Sequence, residues 1–596
     1  MSADLLTLRR ALPLLFVVLG LVAVPAEEAR AVDAALGCPS AATDVSIGAA
    51  DDLLANRYRF PNHPYVTLPA DPTWAEDPIA DRNWRFQLHG LWWVENLYFA
   101  FDKTGDTRYR DRYYFLLRDW YQDNPRSAPP SDFSWEDHAA AFRGMLYACA
   151  LQRSDPDPAW LTAAAELHGA TLAEDAFYVR HGNHALNQSI GLLDLACVMV
   201  RLPWRDLAAS RIETLLLESV DAQGVTNEQS EWYQLYNYSR YSLAMSRLEA
   251  CGVVPSEQMQ LRVRAMPRWS AFAAQPNGWT TMIGDTPNAR IPSIRGTEVE
   301  FVASGGATGL APDARSQVYN EGYAFFRSGW GQTRDLKDET AVTVRFGPAR
   351  RFHGHVEPGG VLLSSWGDRI LMDPGGPHDL NRTAWQRYFM SELSANVVTV
   401  DGRRMNRTGS AQLVAKRSTS AFDYVAVRHT KFRSVIHERR VFYSRRLDVL
   451  FVEDHLRSTA TERYRQLWHL HPESNPIWYG ANGSFLTRKA DGPNVRARQL
   501  VGGKGRRVVR GATAPIQGWV TYGYKHRVTA PVVQTIARGR DVRYVTMFVP
   551  SKTGGRGVSV KSFSLRPRGF SIVLRGSGRE VRIAVSATTA SEALLS

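Results

Sequence analysis

The sequence predicts a multidomain chain, α then β: packed helical hairpins followed by an antiparallel β-sandwich. Three observations carry this. Apolar and aromatic residues recur near a 3.6-residue period from Asp81 to Ala274. After Pro276, short alternating runs bounded by Gly, Asp and Pro take over. The charge divides with the pattern: residues 321–596 hold 45 Lys and Arg against 21 Asp and Glu, and residues 1–320 hold 27 against 38, so the net +13 joins a +24 half to a −11 half. The boundary falls within 276–320, a stretch rich in Gly, Pro, Ser and Asn, and is taken as 32–300 for the helical domain and 301–596 for the strand domain. At 596 residues and 44% hydrophobic content, two large cores are within reach.

The N-terminus stands apart. Arg9 and Arg10 precede an apolar run from Ala11 to Val24, and small residues follow. This is a secretory signal pattern over residues 1–31, with Ala29-Arg30-Ala31 or Val24-Pro25-Ala26 as the cleavage site. The run is short for a bilayer span, so the expectation is a secreted or periplasmic, cell-envelope protein with no transmembrane segment after cleavage. Ala35-Leu36-Gly37-Cys38 has the look of a lipid-attachment site but lies far past the apolar core. The four cysteines, Cys38, Cys149, Cys197 and Cys251, match no metal spacing. In an exported protein they suit one or two disulfides, whose pairing spacing does not reveal.

The helical half opens at Asp81, with Trp84, Leu88, Leu91, Trp92 and Leu97 near helical period. Thr104-Gly105-Asp106 turns the chain, and a helix over Arg108–Tyr121 stops at Asn124-Pro125. Ser134 is the expected N-cap of the next helix. Further helices fit Pro158–Leu172, Ala185–Arg201, Leu207–Val220, Trp232–Cys251 and Ser256–Ala274. Helices joined by short turns without strands between them pack as antiparallel hairpins. Two polar loops interrupt them. One holds His181-Gly182-Asn183-His184, where Asn183 reads equally as an N-cap. The other holds Glu228-Gln229-Ser230-Glu231-Trp232-Tyr233, where Tyr233 reads equally as core. The many aromatics are sugar platforms or, for any single one, more often core.

In the second half, strands fit Gly322–Trp330, Ala341–Gly347, Gly360–Ser365, Arg369–Met372, Asn396–Val400, Tyr424–Arg428, Arg439–Tyr443 and Asp448–Glu453, and continue through Trp519–Tyr522, Val542–Val549, Phe570–Leu574 and Glu580–Val585. One stretch is rich in chemistry: Arg351-Phe352-His353-Gly354-His355-Val356-Glu357, then the apolar run to Asp373-Pro374-Gly375-Gly376. On an extended strand, His353 and His355 would face one side.

These pieces, taken in order, resemble the heparinase II/III-like superfamily of polysaccharide lyases, which includes alginate and heparan lyases. The matching motifs are Asn183-His184, Glu228 to Tyr233, Ile283-Gly284-Asp285, Gly322-Tyr323 to Trp330, and His353-Gly354-His355 with Asp373-Pro374-Gly375. Asn396 to Gly402 and His437 to Arg440 fit less sharply. The resemblance implies an incomplete (α/α) toroid followed by an antiparallel β-sandwich, and β-elimination at a uronic acid. It implies Asn183 as the residue that neutralises the uronate carboxylate, and Tyr233, His184 and His353 as the acid and base, with Tyr233 as acid or as both. It implies an acidic polysaccharide as partner, which the basic half suits. No nucleic-acid-binding module is recognisable.

The resemblance also implies a zinc. His355 and Asp373 match two of its ligands, but the third position is Ala395. A closed zinc site takes four ligands, so either His378 or His437 substitutes or the metal is absent. Two further departures are Glu357 where the family tends to have Asp, and Gln234 where His is common. Two rival readings stand beside the lyase. A glycoside hydrolase would need a carboxylate pair such as Glu228 with Glu231 or Asp285. A non-catalytic acidic-glycan-binding protein of the cell surface would need none of this chemistry.

Overall fold

The computed structural model describes Cys38 and residues 45–154, 158–381, 383–480, 483–553 and 557–595. The signal-peptide reading of residues 1–31 and the stretch before Cys38 lie outside the described residues. Among those residues, no helix is long and apolar enough to cross a membrane.

The N-terminal region is helical and the C-terminal region consists of antiparallel sheets. The helices are α1 (Ile47–Leu54), α2 (Arg82–Gly90), α3 (Glu95–Thr104), α4 (Thr107–Asp123), α5 (Asp137–Arg153), α6 (Ala159–Ala173), α7 (Gly182–Val198), α8 (Leu202–Ser219), α9 (Glu231–Ala250), α10 (Glu257–Ala273) and α11 (Glu298–Ala303). The helix α12 (Ala384–Phe389) lies within the sheet region. The caps are those that sequence chemistry allows: Asp81, Asp106, Ser230 and Ser256 each accept a backbone N–H of the first turn. Ser134 is not the cap of α5. Glu136 takes that place, accepting from His138 and Ala139, while the Ser134 hydroxyl donates to Asn124. The helix expected from Leu207 starts at Leu202, because Pro203 is tolerated in a first turn. Helices α5 and α7 are buried almost all round, as helices at the centre of a layered region must be. Disulfides join Cys38 to Cys149 in α5 and Cys197 in α7 to Cys251 after α9.

The sheets form successive layers. A five-stranded meander runs in chain order from Ser316–Tyr319 to Asp368–Leu371. Helices α10 and α11 cover one of its faces through Trp269, Phe272 and Val299 against Tyr319, Tyr323 and Phe325. Its other face shares a core with a ten-stranded sheet, through Phe326, Val344 and Leu363 against Val441, Val452 and Trp468. That sheet is built on two long strands, Val449–His469 and Val532–Ser551, which extend well beyond the shorter runs the sequence marks. A C-terminal four-stranded sheet, Val558–Leu595, covers its far side through Phe570, Ile572 and Ile583.

The helical and sheet regions also meet at the start of α2. Asp81, fully buried, caps that helix and accepts from the Tyr524 hydroxyl at 3.0 Å and from Lys525. One local expectation fails. Residues 351–360, where His353 and His355 would alternate on a strand, form a loop of turns with Phe352 at φ +37°, and the strand begins only at Val361.

Candidate functional site

Several loops and the starts of helices α2, α5, α7 and α9 converge on one cleft. Helix α7 begins at Gly182, so Asn183 and His184 lie in its first turn. Asn183 is not an N-cap, since His181 holds that position. Its backbone N–H and its side-chain amide both donate to Glu228, at 3.0 and 3.1 Å. A buried carboxylate at a helix N-terminus suits the partial positive charge there. Ser230 caps α9, and its hydroxyl donates to the Asp285 carbonyl at 3.0 Å. Tyr233 follows in the first turn of α9, and Tyr236 lies one turn on.

The His353–His355 loop is held from the helical side. Gln229 accepts the Arg351 N–H at 2.7 Å and donates to the Ala349 carbonyl at 2.9 Å. The His353 N–H donates to the Glu228 carbonyl at 3.2 Å, and the His353 carbonyl accepts from the Asp285 N–H at 2.8 Å. This close fit explains two glycines. A Cβ on Gly354 would lie 2.3 Å from the Gln229 amide oxygen, and one on Gly284 would lie 2.5 Å from the Gln229 carbonyl and 2.7 Å from that of His353. His353 and His355 do converge, though on a carboxylate and not on a sheet face: Asp285 takes His353 Nδ1 on one oxygen and His355 Nε2 on the other, each at 3.2 Å.

The result brings Asn183, His184, Tyr233 and His353 onto the walls of one cleft of about 920 Å³. The Tyr233 and His353 rings stack in parallel, with centroids 3.4 Å apart. His353 Nε2 lies 3.5 Å from Glu228. His184 lines the same cleft, its Nδ1 2.9 Å from Asp137, its ring 4.1 Å from that of His138. Phe86, Trp92 and Phe142 from the helices and the exposed rings of Trp232 and Phe352 add aromatic surface. By contrast Trp84, Trp120 and Trp269 are core.

Electrostatics differ from group to group. Burial, with Asp285 and Glu228 nearby, raises the Tyr233 phenol well above its ordinary value, so it keeps its proton. Burial opposes protonation of His184, but Asp137 and Glu136 outweigh it and raise its pKa above the usual imidazole value. Burial and the Asp137 charge push Glu136 up to about 7. Burial would raise Asp285, yet its two histidine partners hold it well below the carboxylate range. Burial disfavours charge on His355, but Asp285 and Asp373 push it up to about 10. Burial and the neighbouring Asp373 raise Glu357 strongly.

The donor set around His355 and Asp373 does not fit a closed zinc site. Both ring nitrogens of His355 face carboxylates, Asp285 at 3.2 Å and Asp373 at 3.4 Å. Ala395 offers only a methyl group at the third position. His378 Nε2 lies 3.2 Å from an Arg527 guanidinium nitrogen, and His437 is enclosed by Asp454 and His429 on a strand of the ten-stranded sheet. Among the described residues, the sets of three acids or histidines lying together are Glu136–Asp137–His184 and Asp71–Asp119–Asp123, and neither contains His355 or Asp373.

Sequence reading passed over Asp137 and His138, and over Glu136 in particular. An acidic pair at a helix start reads as capping, and Glu136 does cap α5; only the packing of α5 against α7 brings these residues beneath His184. In the sequence Asp285 stands as part of a motif and as a candidate hydrolase carboxylate, without its two histidine partners.

Two family models match the chain: heparinase II/III N-terminus over residues 39–289, and heparinase II/III-like, C-terminal, over residues 315–560. The heparin-sulfate lyase of Pedobacter heparinus is 21% identical over 515 residues, covering 81% of this chain and 76% of that protein. The heparin-sulfate lyase of Bacteroides stercoris is 18% identical over 566 residues, covering 86% and 82%. Among solved structures, heparinase III superposes with a TM-score of 0.79 at 16% identity, covering 92% of each chain. The heparan sulfate lyase HepC from Pedobacter heparinus superposes with a TM-score of 0.69 at 19% identity, covering 92% and 90%. The structural likeness is one of fold.

Proposed function

The chain belongs to the heparinase II/III-like superfamily, and from that premise we propose that it cleaves a uronic-acid-containing acidic polysaccharide by β-elimination in the cleft described above. The enzyme class is carbon–oxygen lyase acting on polysaccharides. Heparan sulfate is the first polymer to test, given the relatives' names. The fold detail we read with it is an incomplete (α/α) toroid carrying one wall of the cleft, and a β-sandwich carrying the other.

The observation that supports this best is that the stack of Tyr233 on His353 lines one cleft with His184 and Asn183, Asn183 and His353 both approaching Glu228. β-Elimination needs three things. The carboxylate beside C5 must be neutralised, the C5 proton removed, and the leaving glycosidic oxygen protonated. Asn183, its amide fixed by Glu228, is assigned to the carboxylate. His184, whose protonated form Asp137 and Glu136 favour, is assigned as its charged partner. Tyr233, whose phenol keeps its proton, is the acid that protonates the leaving oxygen. His353, with Nδ1 on Asp285 and Nε2 3.5 Å from Glu228, is assigned as the base. The C5–H bond breaks as the electron pair forms the C4–C5 double bond and expels the glycosidic oxygen, which takes the Tyr233 proton. General acid–base catalysis of this kind is worth about 10²–10⁴-fold. His355 and Asp373 are read as ionic support for Asp285, and no step is routed through a metal. The rival hydrolase would have to free Glu228 or Asp285 from their Asn and His partners.

Two disulfides suit an exported protein, and secretion or residence in the cell envelope is part of this reading. The test is incubation with heparan sulfate, alginate and hyaluronan, followed by ultraviolet absorbance of the unsaturated uronide. Because His184 must be protonated to partner the carboxylate, kcat/KM is expected to fall on the alkaline side of its raised pKa. Activity that holds constant as pH rises would sink that role for His184.

A further inference from the structure

A second concavity of about 440 Å³ lies beside the cleft, on the other side of α12. Gln386 and Met390 line the cleft, whereas Arg387 and Ser391, next to them in sequence, line this second pocket. Its walls carry three exposed arginines, Arg387, Arg404 and Arg407, over an apolar floor that includes Met405 and Ile516. Among the described residues one acid lines it: Glu392 lies 3.8 Å from Arg404, at the outer limit of an ion pair. Among the described residues, no carboxylate lies within ion-pair distance of Arg407. Three guanidinium groups line one concavity, so an anion seated there is attracted by all three. Their planar forks match sulfate and carboxylate oxygens, and an apolar floor beneath them suits the less polar face of a sugar ring.

We infer that this pocket is a distal subsite that binds an anionic sugar, sulfated or carboxylated, of the same polysaccharide chain whose reacting unit sits at Tyr233. The inference rests on the polysaccharide reading above. Its geometric basis is separate: one short helix forms the wall between the two concavities, and a helix with its side chains is only about 10–12 Å across. A chain leaving the cleft past Met390 meets the arginines after a few sugar units. The subsite therefore favours long chains over short ones and leaves the chemistry at Tyr233 untouched.

The experiment is calorimetric binding to the full-length Tyr233→Phe protein, with and without Arg387→Ala and Arg404→Ala together. The ligands are long heparan sulfate chains, a heparan sulfate tetrasaccharide and alginate. Losing two charge-assisted contacts is expected to weaken long-chain binding by about tenfold or more, while the tetrasaccharide stays within about twofold. Loss with both polymers identifies carboxylate as sufficient; loss with heparan sulfate alone identifies sulfate. With Tyr233 restored, the double arginine variant is expected to turn over the tetrasaccharide as the parent does. Long-chain affinity unchanged by the two substitutions overturns the inference, as does a tetrasaccharide loss of equal size or a parent that binds neither polymer. A failed lyase reading shows differently: no polymer yields an ultraviolet-absorbing product, yet the arginine-dependent binding difference remains.

Discussion

At the scale of single residues, three of the four candidate side chains are each held by an acid, and the fourth, Tyr233, is stacked on His353. Glu228 holds Asn183, Asp137 holds His184 and Asp285 holds His353. The four candidates could be read from the sequence because their motifs are contiguous: Asn183-His184, Tyr233 within its polar loop, and His353 with His355. Their acids could not, because a carboxylate at a helix start or turn has the same sequence signature whether it caps a helix or positions a catalytic group. Glu136 is the sharpest case, and it carries a pH consequence. Its folded pKa, raised by burial to about 7, exceeds its ordinary carboxylate value, so the folded state holds the extra proton. Its contribution to stability is fully present below the ordinary carboxylate range and is lost as pH rises through about 7. His184, also raised, contributes with the same sign, its share fading as pH rises through its folded value. Glu136→Gln keeps an oxygen to cap α5 but removes the titration. The denaturation midpoint of this variant is expected to vary less than the parent's between about pH 5 and 8 and to exceed it at the upper end. A variant that tracks the parent across that range would refute this account of Glu136.

At the scale of elements, the loop between His353 and Gly360 is where sequence reasoning and structure part. Alternation predicts a strand with both histidines on one face. The chain instead turns, because Glu228, Gln229 and Asp285 supply the backbone and side-chain partners that a neighbouring strand would otherwise give. Those partners lie more than a hundred residues away in the case of Gln229, so no local pattern could announce them. The helices were legible because periodicity and caps are local; their starts shifted by a few residues where Pro203 or Glu136 took a role that propensity alone does not assign. Gly354→Ala tests the loop. The added methyl meets the Gln229 amide oxygen and must displace it, moving His353 relative to Tyr233. A displacement of about 1 Å costs on the order of 10²-fold in kcat/KM, with the melting temperature little changed. Retention of parental kinetics by Gly354→Ala would mean that the fit between the two loops is not what positions His353.

At the scale of the whole molecule, the charge split marks a real division: the acidic half is helical and the basic half is built of sheets. What composition could not reveal is how the halves join, through Asp81 with Tyr524 and Lys525 at one end of the cleft and through the His353 loop within it. Nor could it pair the cysteines, which close loops of 111 and 54 residues within the helical region. Each such bond is worth about 2–4 kcal/mol, chiefly by restricting the unfolded chain. Reduction is therefore expected to lower the unfolding temperature by several degrees while leaving the sheet region's pairing unaffected; an unchanged melting curve in reductant would count against both bonds. Among the described residues, His355 and Asp373 gather no third zinc ligand, and these acids and histidines form an ionic scaffold around Asp285. The central claim is elimination in a cleft between the two regions, with Tyr233 as proton donor. It is tested most directly by following ultraviolet absorbance during incubation with heparan sulfate, for the parent and for Tyr233→Phe. The account predicts a rising absorbance from the unsaturated uronide in the parent and a rate lower by about 10²–10⁴-fold in the variant. New reducing ends without that absorbance, or a Tyr233→Phe variant as fast as the parent, would contradict it.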